Sequence, residues 1–191
     1  AALLKLDSAL LVKMIQRGAS KRKPFHYFSS NTASLEIDRI EWMNNADNVI
    51  GFVEGTDLKD EVIVISAHYD HLGKHKGKVY YGADDDGSGT VAMLELAQAF
   101  GIAKRAGHGP RRSIVFCAFS GEEKGLMGSA FYSKLPWFPM EKTVLDLNID
   151  MIGRVDSAHA GKPLYIYPIG TSMLSSELKL LLEKNNDTYS H

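Results

Sequence analysis

The sequence predicts an α/β fold with a largely parallel central sheet, and two observations support this prediction. Three apolar runs rich in β-branched residues are typical of buried strands: residues 62–65, 113–119 and 144–149. A stretch with helical periodicity follows the first run, and one of its faces carries Met93, Leu96, Ala97 and Phe100. Strands that alternate with helices predict a parallel sheet covered by helices.

The elements before the first buried strand are predicted from the spacing of apolar residues and from the positions of turn residues. Leucine and methionine at helical spacing predict a helix over residues 3–17, and a basic run at 21–23 ends it. Three short apolar segments separated by Asn and Asp predict an antiparallel meander that leads into the strand at 62–65: residues 25–29, 34–42 and 49–53.

Later elements are predicted in the same way. Ser88 is the expected N-cap of the helix that follows the first buried strand. A short helix is expected over residues 125–134 and a short strand over residues 164–167. Leucines at helical spacing then predict a final helix: Leu174, Leu178, Leu181 and Leu182.

The composition of the chain limits the classes of protein to which it can belong. The chain has 191 residues, 45% apolar and 24% charged, which suits one globular domain with a sizeable core. A formal net charge of -1 argues against nucleic-acid or anionic-membrane partners. Cys117 is the single cysteine, so no internal disulfide can form, and its apolar surroundings predict a core residue. No apolar run approaches the roughly 20 residues of a membrane span, and the N-terminus lacks the layout of a signal peptide.

Polar clusters stand where apolar strands end. They are His68 with Asp70, the run Asp84-Asp85-Asp86, the pair Glu122-Glu123, and Asp150. In open α/β sheets, sites form beyond the carboxyl ends of the strands, so these clusters are expected to meet. Alternation along a strand would point His68 and Asp70 the same way, so that Asp70 could hold the imidazole in one tautomer. His71 falls on the opposite strand face, and both His71 and His75 are expected to face solvent.

Each cluster taken alone has a simpler explanation, such as a helix cap, a turn or an acidic first turn of a helix. Together, one histidine and three carboxylate clusters match a divalent-metal site with nitrogen and oxygen ligands. Three converging carboxylates would repel one another without cations. Two Zn²⁺ ions would balance three carboxylates and one hydroxide, which favours a dinuclear centre.

Three other functional motifs do not account for the sequence: two have the wrong residue spacing and one is absent. Residues 87–92 fit a dinucleotide fingerprint by letter, but no apolar strand leads straight into them and no acidic residue follows about 20 positions later. Residues 84–87 lack the alternate spacing of an EF-hand calcium loop. The sequence has no Gly-x-Ser-x-Gly, which argues against a serine hydrolase.

Four motifs in order resemble the co-catalytic zinc aminopeptidase family, of the bacterial leucyl aminopeptidase type. They are SAHYD at 66–70, GADDDGSG at 82–89, SGEEKGLMGS at 120–129 and NIDMIG at 148–153. The resemblance covers about residues 48–170. It implies a three-layer α/β/α zinc-peptidase fold with a mixed, centrally parallel sheet. Residues 1–191 would form a single zinc-peptidase catalytic domain, truncated at its C-terminus.

The resemblance also implies a role for each matching residue. His68 and Asp150 would bind one zinc ion, Glu123 would bind the other, and Asp85 would bridge the two. Glu122 would be the general base, and Asp70 would orient His68. A cis peptide bond is expected between Asp85 and Asp86.

The implied activity is the hydrolysis of N-terminal residues from peptides through a metal-bound hydroxide. Related readings are a glutaminyl cyclase, a carboxypeptidase and a non-catalytic binding module that keeps the fold. The family takes its last zinc ligand, a histidine, from a motif well after Asp150, and neither His159 nor His191 fits it. The second zinc site is therefore expected to be incomplete in this chain, and its activity to be weak or nil. The resemblance implies a secreted or periplasmic location, and it leaves the residue preference and the oligomeric state open.

Overall fold

The computed structural model describes residues 12–13, 15–16, 45–161 and 165–189. The chain divides into two compact units, Ala1–Asn44 and Asn45–His191. Of the helix predicted over residues 3–17, the four described residues are helical. The strands predicted at 25–29 and 34–42 and the basic run at 21–23 lie outside the described residues. A single domain over the whole chain stays a prediction.

The second unit is built on six strands and four helices among its described residues. The strands are β1 (Val49–Val53), β2 (Leu58–His68), β3 (Gly73–His75), β4 (Lys78–Tyr80), β5 (Arg112–Phe119) and β6 (Thr143–Asn148). The helices are α1 (Gly87–Arg105), α2 (Met127–Lys134), α3 (Thr171–Leu174) and α4 (Leu178–Tyr189). Single 3-10 turns cover Glu122–Lys124, Met140–Lys142 and Ser157–His159.

Four strands form one mixed sheet in the order β1-β5-β2-β6, and β3 pairs with β4 in a separate hairpin. β2 lies between β5 and β6 and is parallel to both, whereas β1 is antiparallel to β5. The prediction of a mixed sheet with a parallel centre is therefore confirmed. Because the carboxyl ends of β2, β5 and β6 meet at one edge, the polar residues that follow these strands are brought together there.

The predicted meander is wrong at its last step, because β1 pairs with β5 and not with β2. The connection from β1 to β2 crosses the start of β5, where the Gly55 N–H donates to Ser113 Oγ at 3.0 Å. A Cβ at Gly55 would collide with the backbone of Arg111 and Arg112. This close crossing is what allows β5 to lie between two strands that are neighbours in sequence.

Each face of the sheet packs against one helix. On one face, Met93 of α1 contacts a cluster that includes Ile65, Ile114 and Phe116. On the other face, Tyr132 of α2 packs with the remaining core residues, which are Val62, Val64, Val115, Cys117 and Phe119. Two helix layers around one sheet confirm the predicted three-layer α/β/α arrangement.

Cys117 is fully buried within this second core cluster, as the sequence predicts. Burial raises the pKa of its thiol to about 12, so the thiolate that would act as a nucleophile is not formed near neutral pH. Cys117 is therefore a packing residue.

Three predictions about single elements are wrong: the N-cap of α1, the unbroken final helix and the strand over residues 164–167. The N-cap of α1 is Asp86, whose carboxylate accepts from the Gly89 N–H, whereas Ser88 Oγ donates to the Asp84 carbonyl oxygen. The predicted final helix is interrupted at Ser175, which is extended between α3 and α4.

The strand predicted over residues 164–167 is not formed by its described residues. The rings of Tyr165 and Tyr167 pack instead on His159, with ring centroids 4.0 and 5.6 Å from it. Among the described residues, no helix combines the length and the apolar character that a bilayer crossing needs.

Candidate metal centre

The first group of candidate ligands lies at the end of β2. His68 is 4% exposed, and its Nε2 lies 3.1 Å from Oδ1 of Asp85. Ligand atoms of His68, Asp85 and Asp150 all lie within 4.8 Å of one another. The structure thus brings together three of the residues that the sequence predicts to hold metal.

A second group lies beside the first and shares Asp85 with it. Its ligand atoms, from His71, Asp85 and Glu123, again lie within 4.8 Å of one another. His71 Nδ1 is 2.7 Å from Oε1 of Glu123 and 4.0 Å from Oδ2 of Asp85. Asp85 therefore presents one carboxylate oxygen to His68 and the other to His71, as a bridging ligand would.

The prediction that His71 faces solvent is wrong. Its side chain is only 20% exposed and contacts Glu123, while His75 in β3 is exposed as predicted. The error has a physical cause: β2 ends at His68, so the alternation of strand faces does not extend to residue 71. The available signal was the position of His71, three residues after a predicted ligand and in the segment that joins two strands.

Asp86 holds the segments that carry these groups. It is 2% exposed, and its carboxylate accepts from the backbone N–H groups of His68 at 3.2 Å, Gly89 at 2.9 Å and Met151 at 3.3 Å. These donors belong to the end of β2, the first turn of α1 and the loop after β6. Burial raises the pKa of Asp86, and the three N–H donors oppose that rise. The peptide bond between Asp85 and Asp86 is cis, as the resemblance implies.

Asp84 makes a second link between the same loops. Its Oδ1 accepts from the Gly153 N–H at 2.8 Å, and Arg154 Nε lies 3.3 Å from its Oδ2. Asp84 and Asp86 thus both bind the segment that follows Asp150, while Asp85 between them faces the two histidines. The three consecutive aspartates therefore divide into two that fix the backbone and one that faces the candidate ligands.

Asp70 contacts the site in a different way from the one expected. The atom of Asp70 closest to His68 Nδ1 is its backbone carbonyl oxygen, at 3.0 Å, with the carboxylate at 3.7 Å. The carboxylate accepts instead from the N–H groups of Glu122 at 3.0 Å and Glu123 at 3.3 Å. Asp70 therefore links the histidine to the turn that carries both glutamates. Its orienting role stays a prediction.

Glu122 and Glu123 begin a 3-10 turn that lies between two left-handed glycines, Gly121 with φ 69° and Gly125 with φ 103°. A turn this tight directs the two side chains differently. Glu123 contacts His71, whereas Glu122 lines a cavity of about 230 Å³, with its Oε2 3.9 Å from His68 Nε2. Desolvation raises the pKa of Glu122, His68 opposes that shift, and Glu123 adds to it.

Comparison with known proteins identifies the family. The family model described as Peptidase family M28 matches residues 48–190, which is three quarters of the chain. The chain belongs to Peptidase family M28. The predicted resemblance to co-catalytic zinc peptidases is thereby confirmed at the level of the family.

Several named relatives align with parts of this M28 chain. A "Probable glutamate carboxypeptidase" of Arthroderma benhamiae is 42% identical over 106 residues, which cover 54% of this chain and 14% of the relative. The "Aminopeptidase NAALADL1" of Rattus norvegicus is 34% identical over 120 residues, 60% of this chain and 14% of that protein. A "Probable zinc metalloprotease" of Pyricularia oryzae is 30% identical over 163 residues, 78% of this chain and 31% of that protein. This chain therefore spans less than a third of each of these relatives.

Among solved structures, a glutaminyl cyclase from an Acidobacteriales bacterium aligns with a TM-score of 0.42 and 29% sequence identity. The alignment covers 56% of this chain and 38% of that one.

The residues of this M28 chain fit a zinc centre. His71 Nδ1 and Glu123 Oε1 are both buried, and neither has a hydrogen-bond partner among the described residues. They lie 2.7 Å apart, but their directions do not make a hydrogen bond between them. Two buried lone-pair donors that converge without bonding to each other are what two ligands of one cation would present. Imidazole nitrogen and carboxylate oxygen are donors that zinc accepts.

We predict that Asp86→Ala destabilises the fold. The substitution leaves three backbone N–H groups without their acceptor, and each buried unpaired group costs about 1–3 kcal/mol. The free energy of unfolding, measured with urea, should fall by at least about 3 kcal/mol. The matched control Asp187→Ala, on the exposed surface of α4, should stay within about 0.5 kcal/mol of the unaltered protein. Equal stability of the two variants would contradict the role assigned to Asp86.

Proposed function

We propose that this M28 chain carries the catalytic centre of a zinc-dependent aminopeptidase, with Glu122 as general base. The observation that supports this proposal most directly is the pair of ligand groups that share Asp85, with Glu122 beside them on the cavity wall. A purely structural metal site would have no need of a free carboxylate facing open space next to the ligands.

The chain's own residues would hold the metal: His68, Asp85 and Asp150 in one group, and Glu123 with Asp85 in the other. Zinc supplies Lewis acidity, which polarises a carbonyl and makes water more acidic. The contribution of the protein is to place these ligands at one edge of a rigid sheet. Their convergence also explains why cations are needed, since three unpaired carboxylates at this spacing would repel one another.

Glu122 would move the proton. Its Oε2 faces the cavity, so it can accept a proton from the attacking water and deliver it to the departing amine. Desolvation raises the pKa of Glu122, which favours its uptake of a proton from water. The hydrogen bonds from the Glu122 and Glu123 N–H groups to Asp70 would keep the turn, and hence this carboxylate, in place.

The charge of the cavity favours the N-terminal end of a peptide as substrate. The lining includes Glu122, Asp146 and Asp150, and of the described residues that line the cavity none is lysine or arginine. Bound cations would balance Asp150, but Glu122 and Asp146 remain on this wall, where they would attract an α-ammonium group and repel a C-terminal carboxylate. Arg154, which could otherwise receive a carboxylate, is paired with Asp84. We therefore favour an aminopeptidase over a carboxypeptidase, although relatives carry both names.

We also propose a compartment outside the cytosol. The support is the family resemblance together with one relative, the "Vacuolar membrane protease" of Pyricularia oryzae, which is 32% identical over 128 residues.

Glu122→Gln should abolish peptide hydrolysis without removing metal. Gln keeps the size of the side chain but cannot accept the proton, so we expect kcat to fall by about 10²–10⁴-fold. Bound zinc, measured by elemental analysis, should equal that of the unaltered protein. The control Glu141→Gln changes an exposed glutamate in the turn Met140–Lys142 and should change neither quantity. Loss of zinc from the Glu122→Gln protein would instead make Glu122 a ligand.

A set of three tripeptides of equal sequence tests which end is cleaved. One has free termini, one is acetylated at the N-terminus and one is amidated at the C-terminus. We expect hydrolysis of the free and amidated peptides and none of the acetylated one, because the acidic cavity selects the α-ammonium group. Product analysis by mass spectrometry gives the answer. Cleavage of the acetylated peptide with protection of the amidated one would show a carboxypeptidase.

A further inference from the structure

We infer that Asn48 is a positioning residue, which holds the turn that carries Glu122 and Glu123 so that the Glu122 carboxylate faces the cavity. The inference rests on the proposed function, because it gives Asn48 a part in the reaction only through Glu122. Asn48 stands directly before β1 and is not among the residues that line the cavity. It also lies outside the four motifs from which the site residues are predicted.

The side chain of Asn48 bridges the two ends of this turn, which we call the glutamate turn and which covers residues 120–128. Its Oδ1 accepts from the Ser120 N–H at 3.2 Å, and its Nδ2 donates to the Gly128 carbonyl oxygen at 2.9 Å. A carboxamide presents an acceptor and a donor side by side, as these two backbone groups require. Ser120 and Gly128 are both buried, and a hydrogen bond is stronger there than in water.

The glutamate turn has an unfavourable backbone and needs contacts from outside. Three of its residues are left-handed, and one of them is Leu126, with φ 59°. A side chain disfavours this conformation because its Cβ lies too close to the following carbonyl oxygen. The Gly128 N–H donates to the Ser120 carbonyl oxygen at 2.8 Å and closes the turn into a ring. Asn48 binds the ring at this closure, so it fixes both ends of the segment that carries the glutamates.

The contact leaves no room for another arrangement. A Cβ at Gly128 would lie 2.4 Å from Oδ1 of Asn48 and 2.4 Å from the Ser120 carbonyl oxygen. Real Cβ atoms do not approach other atoms so closely, so Asn48 reaches the turn because residue 128 is glycine. The carboxylate of Asp70 binds the turn at another point, where it accepts from the N–H groups of the two glutamates. These two contacts together set the direction of the glutamate turn.

The pairing of β1 with β5 brings Asn48 to this place. In the antiparallel register Val49 lies opposite Ala118, so Asn48 stands at the end of β5, where the glutamate turn begins. The same segment is bound to the loop after β2, since the Tyr69 hydroxyl donates to the Asp47 carbonyl oxygen at 2.5 Å. The two residues before β1 thus join two loops that carry candidate ligands.

Amide hydrogen exchange in the zinc-loaded 191-residue chain, measured by NMR, tests the contact without using activity. In Asn48→Ala we expect the amides of Glu122 and Gly128 to exchange at least about fivefold faster, because the turn loses two hydrogen bonds and opens more often. The amide of Val64 in β2 should keep its rate. The control Asn45→Ala changes an exposed asparagine three residues earlier and should alter none of these rates.

Peptide hydrolysis shows whether Asn48 acts through Glu122. Asn48→Ala should lower kcat by about 10²-fold, as a misplaced catalytic group does, and leave KM unchanged. The isosteric Asn48→Asp should also lower kcat, because its second oxygen would face the Gly128 carbonyl oxygen and repel it. In protein that already carries Glu122→Gln, Asn48→Ala should cause no further fall in kcat, since residues that act as a unit are not additive. Asn45→Ala should leave kcat unaltered.

The possible results separate this inference from the proposed function. Unchanged exchange in the glutamate turn of Asn48→Ala, or faster exchange there with kcat unaltered, would overturn the positioning role. An equal increase in β2 would make Asn48 a residue of general stability, and a further loss of kcat beside Glu122→Gln would place its effect elsewhere; either result overturns the inference. If the unaltered protein hydrolyses no peptide, the proposed function fails, and exchange in the turn alone confirms or overturns the contact with Asn48.

Discussion

The buried carboxylate of Asp86 is the interaction on which the candidate metal centre depends. It joins the end of β2, the start of α1 and the loop after β6 through three backbone N–H groups. Each of these segments carries or adjoins a candidate ligand: His68, Asp85 and Asp150. Backbone donors fix the path of the chain without using any side chain that the chemistry needs. The scaffold and the site are thus made from neighbouring residues with separate tasks.

A second constraint is the repulsion among Asp85, Glu123 and Asp150. Three carboxylates at one edge of a sheet are stable together only when cations or protons balance their charge. Asp85, with one oxygen toward each histidine, allows two cations to share a single carboxylate. The geometry of the sheet sets this arrangement, because three parallel strands deliver their carboxyl ends to the same edge.

Much of the fold and part of the site could be predicted from sequence. The buried strands are continuous apolar runs, so β2, β5 and β6 could be located within a few residues. The ordered motifs picked out His68, Asp85 and Asp150, which the structure brings within a few ångströms of one another. Glu123 was also predicted, although its histidine partner was not.

The rest depends on contacts between residues distant in sequence, which local patterns do not contain. The pairing of β1 with β5 depends on a backbone crossing at Gly55. Asp86 looks like its two neighbours in the sequence, and only its burial and its three donors separate it from them. His71 was misplaced because strand alternation was extended past the true end of β2 at His68. Its contact with Glu123 joins residues 52 positions apart, and no periodicity indicates it.

Anomalous diffraction at the zinc absorption edge, from crystals of the zinc-loaded chain, tests the central claim most directly. We expect two peaks that share Asp85, one bounded by His68 and Asp150 and the other by Glu123. A single peak, or peaks that do not touch Asp85, would contradict the account of a shared carboxylate between two cations.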